Sequence, residues 1–324
     1  MLKSEELYLG IDTSNYTTSV ALCDGDGKIV LNLKKLLDVK EGERGLRQSD
    51  ALFSHTRNLP ELMDALSAFL DGNYPERKIK AVGFSARPRD VLGSYMPCFL
   101  AGASAAKSIA ATLGCPVFDF SHQNGHVMAA LYSAGRLDLL ESESPFAAFH
   151  VSGGTTELLL VTGHGGEPRA QLIGGTEDAN AGQMIDRTGV LMGMKFPCGK
   201  EMEQACIAAG EIPHQKTRIS VKGLECNLSG LENLAAKLYR ESGDVAKTSA
   251  YCFDFIADTL YQLTLNAREI YGDIHVLFAG GVMSNSRIKN HLASLMNVSF
   301  SEPQFSADNA AGVALMTKNR FERR

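Results

Sequence analysis

No two cysteines in this chain form a C-x-x-C pair, although seven are present: Cys23, Cys98, Cys115, Cys198, Cys206, Cys226 and Cys252. Their odd number and scattered positions argue against a disulfide framework. Several sit in apolar strings such as Ala21-Leu22-Cys23, so they are expected to be reduced thiols filling core space, as in a cytoplasmic protein. Positive charge is also short. There are 32 Lys and Arg against 37 Asp and Glu, for a net charge of −5 and a pI near 5.9. The overall basic balance of a dedicated nucleic-acid binder is missing. Lys318, Arg320, Arg323 and Arg324 could form a local patch, with a solvated terminal helix as the plainer reading. No apolar run follows the charged segment Met1 to Glu6, so no signal peptide is expected. The most membrane-like stretch, Cys98 to Phe118, contains Lys107, and its ends carry Pro97 and Pro116. It reads as a buried helix followed by a strand, not as a membrane span. There is no H-E-x-x-H and no convincing Ser-His-Asp or Cys-His arrangement, so neither a zinc peptidase nor a side-chain nucleophile is expected.

What is present suits a globular α/β protein. The chain has 324 residues, 44% hydrophobic and 21% charged, which is enough apolar material for two cores and too long for one. Leu7–Ile11, Thr17–Leu22 and Lys28–Leu33 read as a three-stranded meander. Its first turn is polar (Asp12-Thr13-Ser14) and its second glycine-rich (Asp24-Gly25-Asp26-Gly27). Half a chain later the pattern returns. Phe146–Val151 leads into Ser152-Gly153-Gly154-Thr155-Thr156, a strand Glu157–Val161, and Gly163-His164-Gly165-Gly166. This internal similarity suggests duplicated domains. Between and after the two meanders, strands alternate with helices. Helices are expected over Ser49–Phe69 (with a break possible at Pro60), Ala101–Leu113, Ser121–Gly135, Gly182–Met192, Glu201–Ala209, Leu228–Arg240, Thr248–Ile270 and from Asp308. The acidic, serine-rich stretch Arg136–Pro145 predicts a division into residues 1–138 and 139–324.

Several positions carry chemistry. Ser152-Gly153-Gly154 lets backbone N–H groups approach an anion, or is a tight turn. Asp12-Thr13-Ser14 holds a ligand, or is a hydrogen-bonded turn. Gly280-Gly281-Val282 ends a strand before a helix opened by Asn285, which either meets a sugar hydroxyl or caps the helix. His122 and His126 lie four apart on one helix face and can chelate a metal, although surface or packing histidines are the commoner case. Gly125 between them costs about 1 kcal/mol of helix propensity, which a purely structural helix tends to avoid. Asp308 opens a small-residue helix, as a cap or as a third metal ligand.

The order of these motifs resembles the TsaD family. Its members transfer a threonylcarbamoyl group onto adenosine 37 of tRNA on an actin/Hsp70-like ATPase (ASKHA) fold of duplicated ribonuclease-H-like domains. Gly10-Ile11-Asp12-Thr13-Ser14 is similar to the family's opening strand and turn, and Ser54-His55-Thr56 with Leu59-Pro60 to its first-lobe helix. His122-Gln123-Asn124-Gly125-His126 resembles H-x-E-G-H, and Val151 to Gly154 resembles the S-G-G loop. Ala181-Gly182-Gln183 with Asp186 resembles A-G-E and F-D-K, and Phe196 to Gly199 resembles Y-P-G-G. Leu228 to Leu231 is similar to F-S-G-L-K, with Glu232 at the lysine, Gly280 to Asn285 to G-G-V-x-x-N, and Ala307 to Ala311 to T-D-N-A-A.

The resemblance implies a two-lobe α/β fold with ligands held between the lobes. It implies one divalent metal ion, iron or zinc, on His122, His126 and Asp308. ATP or threonylcarbamoyl-adenylate would be held by Asp12, Thr13, His150, Val151, Ser152, Gly153, Gly154, Asp186, Gly199 and Asn285. It further implies a smaller homologous actin-like subunit (TsaB-like) and an ATPase subunit (TsaE-like) as partners, with tRNA bound only with partner help. The chain departs from the family pattern at Asn15 to Thr17, Asn124, Gln183, Cys198 and Glu232. These changes neutralise or reverse charges near the chemistry. They fit a divergent paralogue as well: either a carbamoyl-adenylate transferase with a small-molecule or protein-thiol acceptor, or a nucleotide-binding regulatory subunit.

Overall fold

The computed structural model describes residues 6–14, 16–38, 46–306 and 310–324. Two positions singled out above, Asn15 and Asp308, lie outside them. In the first half, β1 (Glu6–Ser14), β2 (Thr17–Asp24) and β3 (Ile29–Leu36) form the expected antiparallel meander. The second turn closes as its sequence demands. Gly27 takes a φ of 81°, and the Asp24 carboxylate accepts the amides of Asp26 and Lys28 at 3.1 and 2.8 Å. Helix α1 (Gln48–Asn73) runs through Pro60 without a break. Its buried stripe of Leu59, Leu62, Leu66 and Leu70 repeats at helical spacing and packs onto Leu9, Val20, Leu22 and Val82 of the sheet. Then follow β4 (Lys78–Arg87), α2 (Phe99–Leu113), β5 (Val117–Ser121) and α3 (His122–Ser133). β4 and β5 add in parallel, giving the order β3-β2-β1-β4-β5.

The second half opens with β6 (Phe146–Val151), β7 (Thr156–His164) and β8 (Glu167–Thr176), followed by α4 (Ala181–Leu191) and α5 (Gly199–Ala208). A small hairpin, β9 (Ser220–Lys222) and β10 (Glu225–Asn227), precedes α6 (Gly230–Ser242) and α7 (Val245–Tyr271). The chain ends with β11 (Val276–Ala279), α8 (Ser286–Leu295), β12 (Ser299–Phe300), α9 (Pro303–Ser306) and α10 (Ala311–Glu322). The second sheet is ordered β12-β11-β6-β7-β8-β10-β9. β6 pairs antiparallel with β7, while β11 and β12 add in parallel. Its segment β8-β7-β6-β11-β12 therefore repeats the order of the first sheet, and the duplication suggested by the two meanders is present in the topology. Helix α7 supplies much of this core, with Cys252, Phe253, Phe255, Ile256, Leu260 and Leu263 all buried.

The chain divides into two compact units. One comprises Met1–Glu143, Thr162–Ala170 and Phe305–Arg324, and the other Ser144–Val161 and Gln171–Gln304. A single cut between residues 138 and 139 is thus too simple, because the last helix returns to the first unit. The reason is steric. A Cβ on Gly10 of β1 would meet the Ala314 amide nitrogen at 2.5 Å, and one on Gly83 of β4 would meet Thr317 Oγ1 at 1.9 Å. Two strand glycines leave the space that α10 fills with Ala314 and Thr317. All seven cysteines are free, and six are buried. Burial pushes the thiols of Cys23, Cys226 and Cys252 up to about 12. Among the described residues no helix is long and apolar enough to cross a membrane.

Candidate functional site

In the first unit, β1 and α3 bring together Asp12, His122 and His126. Ser121 caps α3, its Oγ accepting the Asn124 amide at 3.3 Å, and this places both histidines in the first turns. Their rings meet edge-on with centroids 4.2 Å apart. His122 Nδ1 lies 3.2 Å from Oδ1 of Asp12, a fully buried carboxylate whose other oxygen accepts from Ser14 Oγ at 2.6 Å. Burial acts to raise the Asp12 carboxyl, but the His122 charge and the hydrogen bonds from His122 and Ser14 hold it below the usual carboxylate range. A carboxylate on Nδ1 fixes the ring and prepares the opposite nitrogen as a metal ligand. The donor set therefore fits a divalent ion. Asp308, the expected third ligand, lies outside the described residues. Its neighbourhood in sequence does reach the histidine pair, since a Cβ on Gly312 would meet the Gly125 carbonyl oxygen at 1.9 Å. Helix α10 thus begins against the residue that separates the two histidines, a contact that sequence spacing alone does not give. Thr13 is engaged locally: its hydroxyl donates to the Cys98 carbonyl and accepts the Gly102 amide, both at 3.1 Å.

In the second unit the Ser152–Thr155 turn is closed on itself. The Ser152 amide donates to the Thr155 carbonyl at 2.7 Å, and Ser152 Oγ accepts the amides of Gly154 and Thr155 at 3.2 and 3.1 Å. Of the amides expected to face an anion, that of Gly154 is thus turned onto a side chain of the loop and that of Ser152 onto a loop carbonyl. Space remains over the loop, since a Cβ on Gly153 or Gly154 would meet nothing within 4 Å. The N-terminus of α4 abuts the same turn. The Gly182 amide donates to the Ser152 carbonyl at 3.1 Å, and Asn180 donates to the Gly154 carbonyl at 2.9 Å. A Cβ on Gly182 would meet Gly153 Cα and N at 2.7 Å, so only glycine allows this approach. On the other side, Gly280, at a φ of 103°, leaves room for the Val151 carbonyl, which a Cβ there would meet at 2.2 Å. His150, on β6, is half-buried opposite Glu157 of β7. Asp186 accepts the Cys198 amide at 2.8 Å just before Gly199 opens α5, and burial raises its carboxyl. Asn285 is a cap: its Oδ1 accepts the Ile288 amide at 3.1 Å. The unit therefore gathers Val151 to Gly154 with Gly182 and Gly280, while Asp186, Gly199 and Asn285 are held by their own local contacts.

The departures from the family pattern have local roles. Asn124 donates to Asp90 at 2.6 Å and accepts the Ala170 amide at 3.2 Å. Gln183 completes a capping box at the start of α4 by accepting the Asn180 amide at 3.2 Å. Cys198 is fully buried beneath Gly189, and Glu232 pairs with Arg187 at 3.0 Å. Sequence reasoning missed one group. Among the described residues, the three-residue His/Asp cluster with ligand atoms close enough for one metal is His214, Asp258 and His291. Its members stand 44 and 33 positions apart on unrelated elements, and no motif signals them.

Comparison with known proteins agrees with this architecture. The family model described as "TsaD: tRNA N6-adenosine threonylcarbamoyltransferase" matches residues 37–315. Among solved structures, the chain is similar to HypF from T. kodakarensis at a TM-score of 0.60 and 11% identity, covering 98% of this chain and 48% of that one. It thus spans about half the length of HypF. It is also similar to component A of the (R)-2-hydroxyglutaryl-CoA dehydratase of Acidaminococcus fermentans, at a TM-score of 0.54 and 13% identity, covering 98% and 99%. The activator of the 2-hydroxyisocaproyl-CoA dehydratase from Clostridium difficile, with bound ADPNP, gives 0.53 and 13%, covering 98% and 96%. At these identities the similarity establishes the actin-like ATPase fold alone.

Proposed function

Because this chain belongs to the TsaD family, a family of transferases in tRNA modification, we propose that it transfers a threonylcarbamoyl group from threonylcarbamoyl-adenylate to N6 of adenosine 37 in tRNA. The observation that carries this reading is the close approach of Gly312, in the first turn of α10, to Gly125, the residue between the two histidines. His122, His126 and Asp308 would hold one divalent metal, whose Lewis acidity would polarise the carbamoyl carbonyl. Asp12 orients His122. The Ser152–Gly154 turn, backed by Gly182, offers open space for the adenylate phosphate, which would compete with Ser152 Oγ for the Gly154 and Thr155 amides. The adenine amine attacks the carbamoyl carbon, and AMP leaves. No side chain need act as a nucleophile. A smaller TsaB-like subunit and a TsaE-like ATPase subunit complete the proposed assembly. Complementation of a strain lacking its housekeeping TsaD, read out as the modified nucleoside in bulk tRNA, tests the proposal. Absence of the modification despite expression of soluble chain and partners would count against tRNA as acceptor.

A second reading, a paralogue with another acceptor, draws on two observations. Glu232 is paired with Arg187, and Asn124 is bound to Asp90, where the family pattern carries a lysine and a glutamate. Transfer to a small thiol or amine by the purified chain, with no transfer to tRNA, would favour it.

A further inference from the structure

The geometry points to a metal site in the second unit, built from His214, Asp258 and His291 and taking a divalent ion of the zinc class. The three residues come from separate elements: the irregular segment between α5 and β9, the middle of α7, and α8. His214 Nε2 lies 2.9 Å and His291 Nε2 3.5 Å from the same oxygen, Asp258 Oδ1. The two rings stack in parallel with centroids 3.9 Å apart. The three ligand atoms lie within 4.8 Å of one another, and turning one ring out of the stack points both imidazole lone pairs at a single ion; this N2O donor set suits zinc, with positions left for water.

Two of the three ligands, His214 and Asp258, are also braced from behind, as metal ligands are. His214 Nδ1 lies 3.2 Å from the buried Asp254 carboxylate, which directs its Nε2 toward Asp258. Asp254 is itself fixed by Arg287 at 2.6 and 2.8 Å and by the Gln215 amide at 2.9 Å. Thr217 Oγ1 donates to Asp258 Oδ2, which leaves Oδ1 for the ion. A solvent-open cavity of about 350 Å³, lined by Asp254, Arg287 and His291, gives the ion a way in. Bound there, it ties residues 210–219, which lack regular secondary structure, to α7 and α8.

Zinc titration of the chelator-stripped full chain, by calorimetry and elemental analysis, tests this. His122→Ala with His126→Ala, which removes the other metal candidate, should leave one zinc equivalent. That equivalent should vanish when His214→Ala and His291→Ala are added. Placed in the wild-type chain, His214→Ala with His291→Ala should lower the stoichiometry by one. Thr217→Val, which leaves all three ligands in place, should weaken zinc affinity by about 10-fold. Zinc should also slow tryptic cleavage at Lys216 and Arg218 in the His122→Ala/His126→Ala chain. The site is disproved if that chain binds no zinc, or if its zinc survives loss of both His214 and His291 in a variant whose circular dichroism is native. In that case the cluster is a hydrogen-bonded His-Asp-His group only. Either result leaves the proposed transferase activity to its own test.

Discussion

Gly182 and Gly153 touch each other, yet the two glycines serve different ends. A methyl group on Gly182 would drive into the Gly153 backbone at 2.7 Å, whereas one on Gly153 would meet open space. Gly182→Ala should therefore destabilise the chain by about 1–3 kcal/mol, as overpacking does. Gly153→Ala should change stability by less than about 0.5 kcal/mol. If the turn receives a phosphate, Gly153→Ala should still weaken ATP binding, because its methyl occupies the space over the loop. Urea unfolding and calorimetry separate the two effects. Equal and large losses of stability in both variants would mean that the space over Gly153 is not open. The glycines of this loop were legible in the sequence, and so was the His122–His126 pair, because each motif is local. The side-chain partners were not. Nothing in the order of residues says that Asp12 backs His122 at 3.2 Å, or that Asn285 is a cap whose Oδ1 holds Ile288. The sequence left both alternatives standing at each of these positions.

Elements show the same division between local and long-range information. Helices with strong periodicity, such as α1 and α7, were readable, and α1 continues through Pro60 because its leucine stripe stays buried on both sides of it. Strand β8 was missed, since Glu167-Pro168-Arg169 and Gly174-Gly175 disguise it, and its place is set by pairing, not by propensity. Two junctions between elements can be tested. Gly312→Ala should push α10 away from α3, because its Cβ would meet backbone oxygen at 1.9 Å. The expected loss is about 1–3 kcal/mol, with weakened metal binding by the His122–His126 pair. Unaltered stability would show that the close approach of the two helices is not required. The second junction joins the end of β8 to the start of α6. The Asp178 carboxylate accepts the amides of Ala179, Leu228 and Ser229 at 2.6, 2.8 and 3.1 Å. Burial acts to raise its pKa, but the hydrogen bonds from the Ser229 side chain and these amides outweigh it and bring the value to about 2. A group lowered in the folded state stabilises it above its unfolded pKa of about 3.9, and the contribution is lost as pH falls from there toward about 2. Asp178→Asn should therefore be less stable than the wild type at neutral pH, with the gap closing in that acid window. A gap that is constant with pH would refute the assignment.

On the scale of the whole molecule, the decisive quantity is charge. The net charge is −5, and the C-terminal cations that could have offset it locally are taken up within the first unit. Arg320 and Arg323 both bind Glu167, and Lys318 pairs with Glu322 at 2.6 Å. The Arg324 guanidinium lies over the Phe118 ring at 4.8 Å. Neither sequence reading of this terminal helix holds: Ala311 to Thr317 are buried, so the helix is not a solvated one, and the arginines at its end are taken up by a partner acid, Glu167, that lies far away in sequence. Neutralising phosphates needs positioned Lys or Arg, and each such contact makes binding weaken with salt. Cations already bound to carboxylates must first break those pairs. The isolated chain should therefore bind tRNA only weakly and with steep salt dependence, and tight binding should require a partner that brings basic surface. If the acceptor is not tRNA, even the assembled complex should ignore it. A gel-shift titration at near-physiological salt decides between these outcomes, with Glu167→Gln as a control that releases Arg320 and Arg323 and should tighten binding. Affinity of the wild-type chain alone tighter than about 1 µM, beyond the usual non-specific range, would overturn the charge argument.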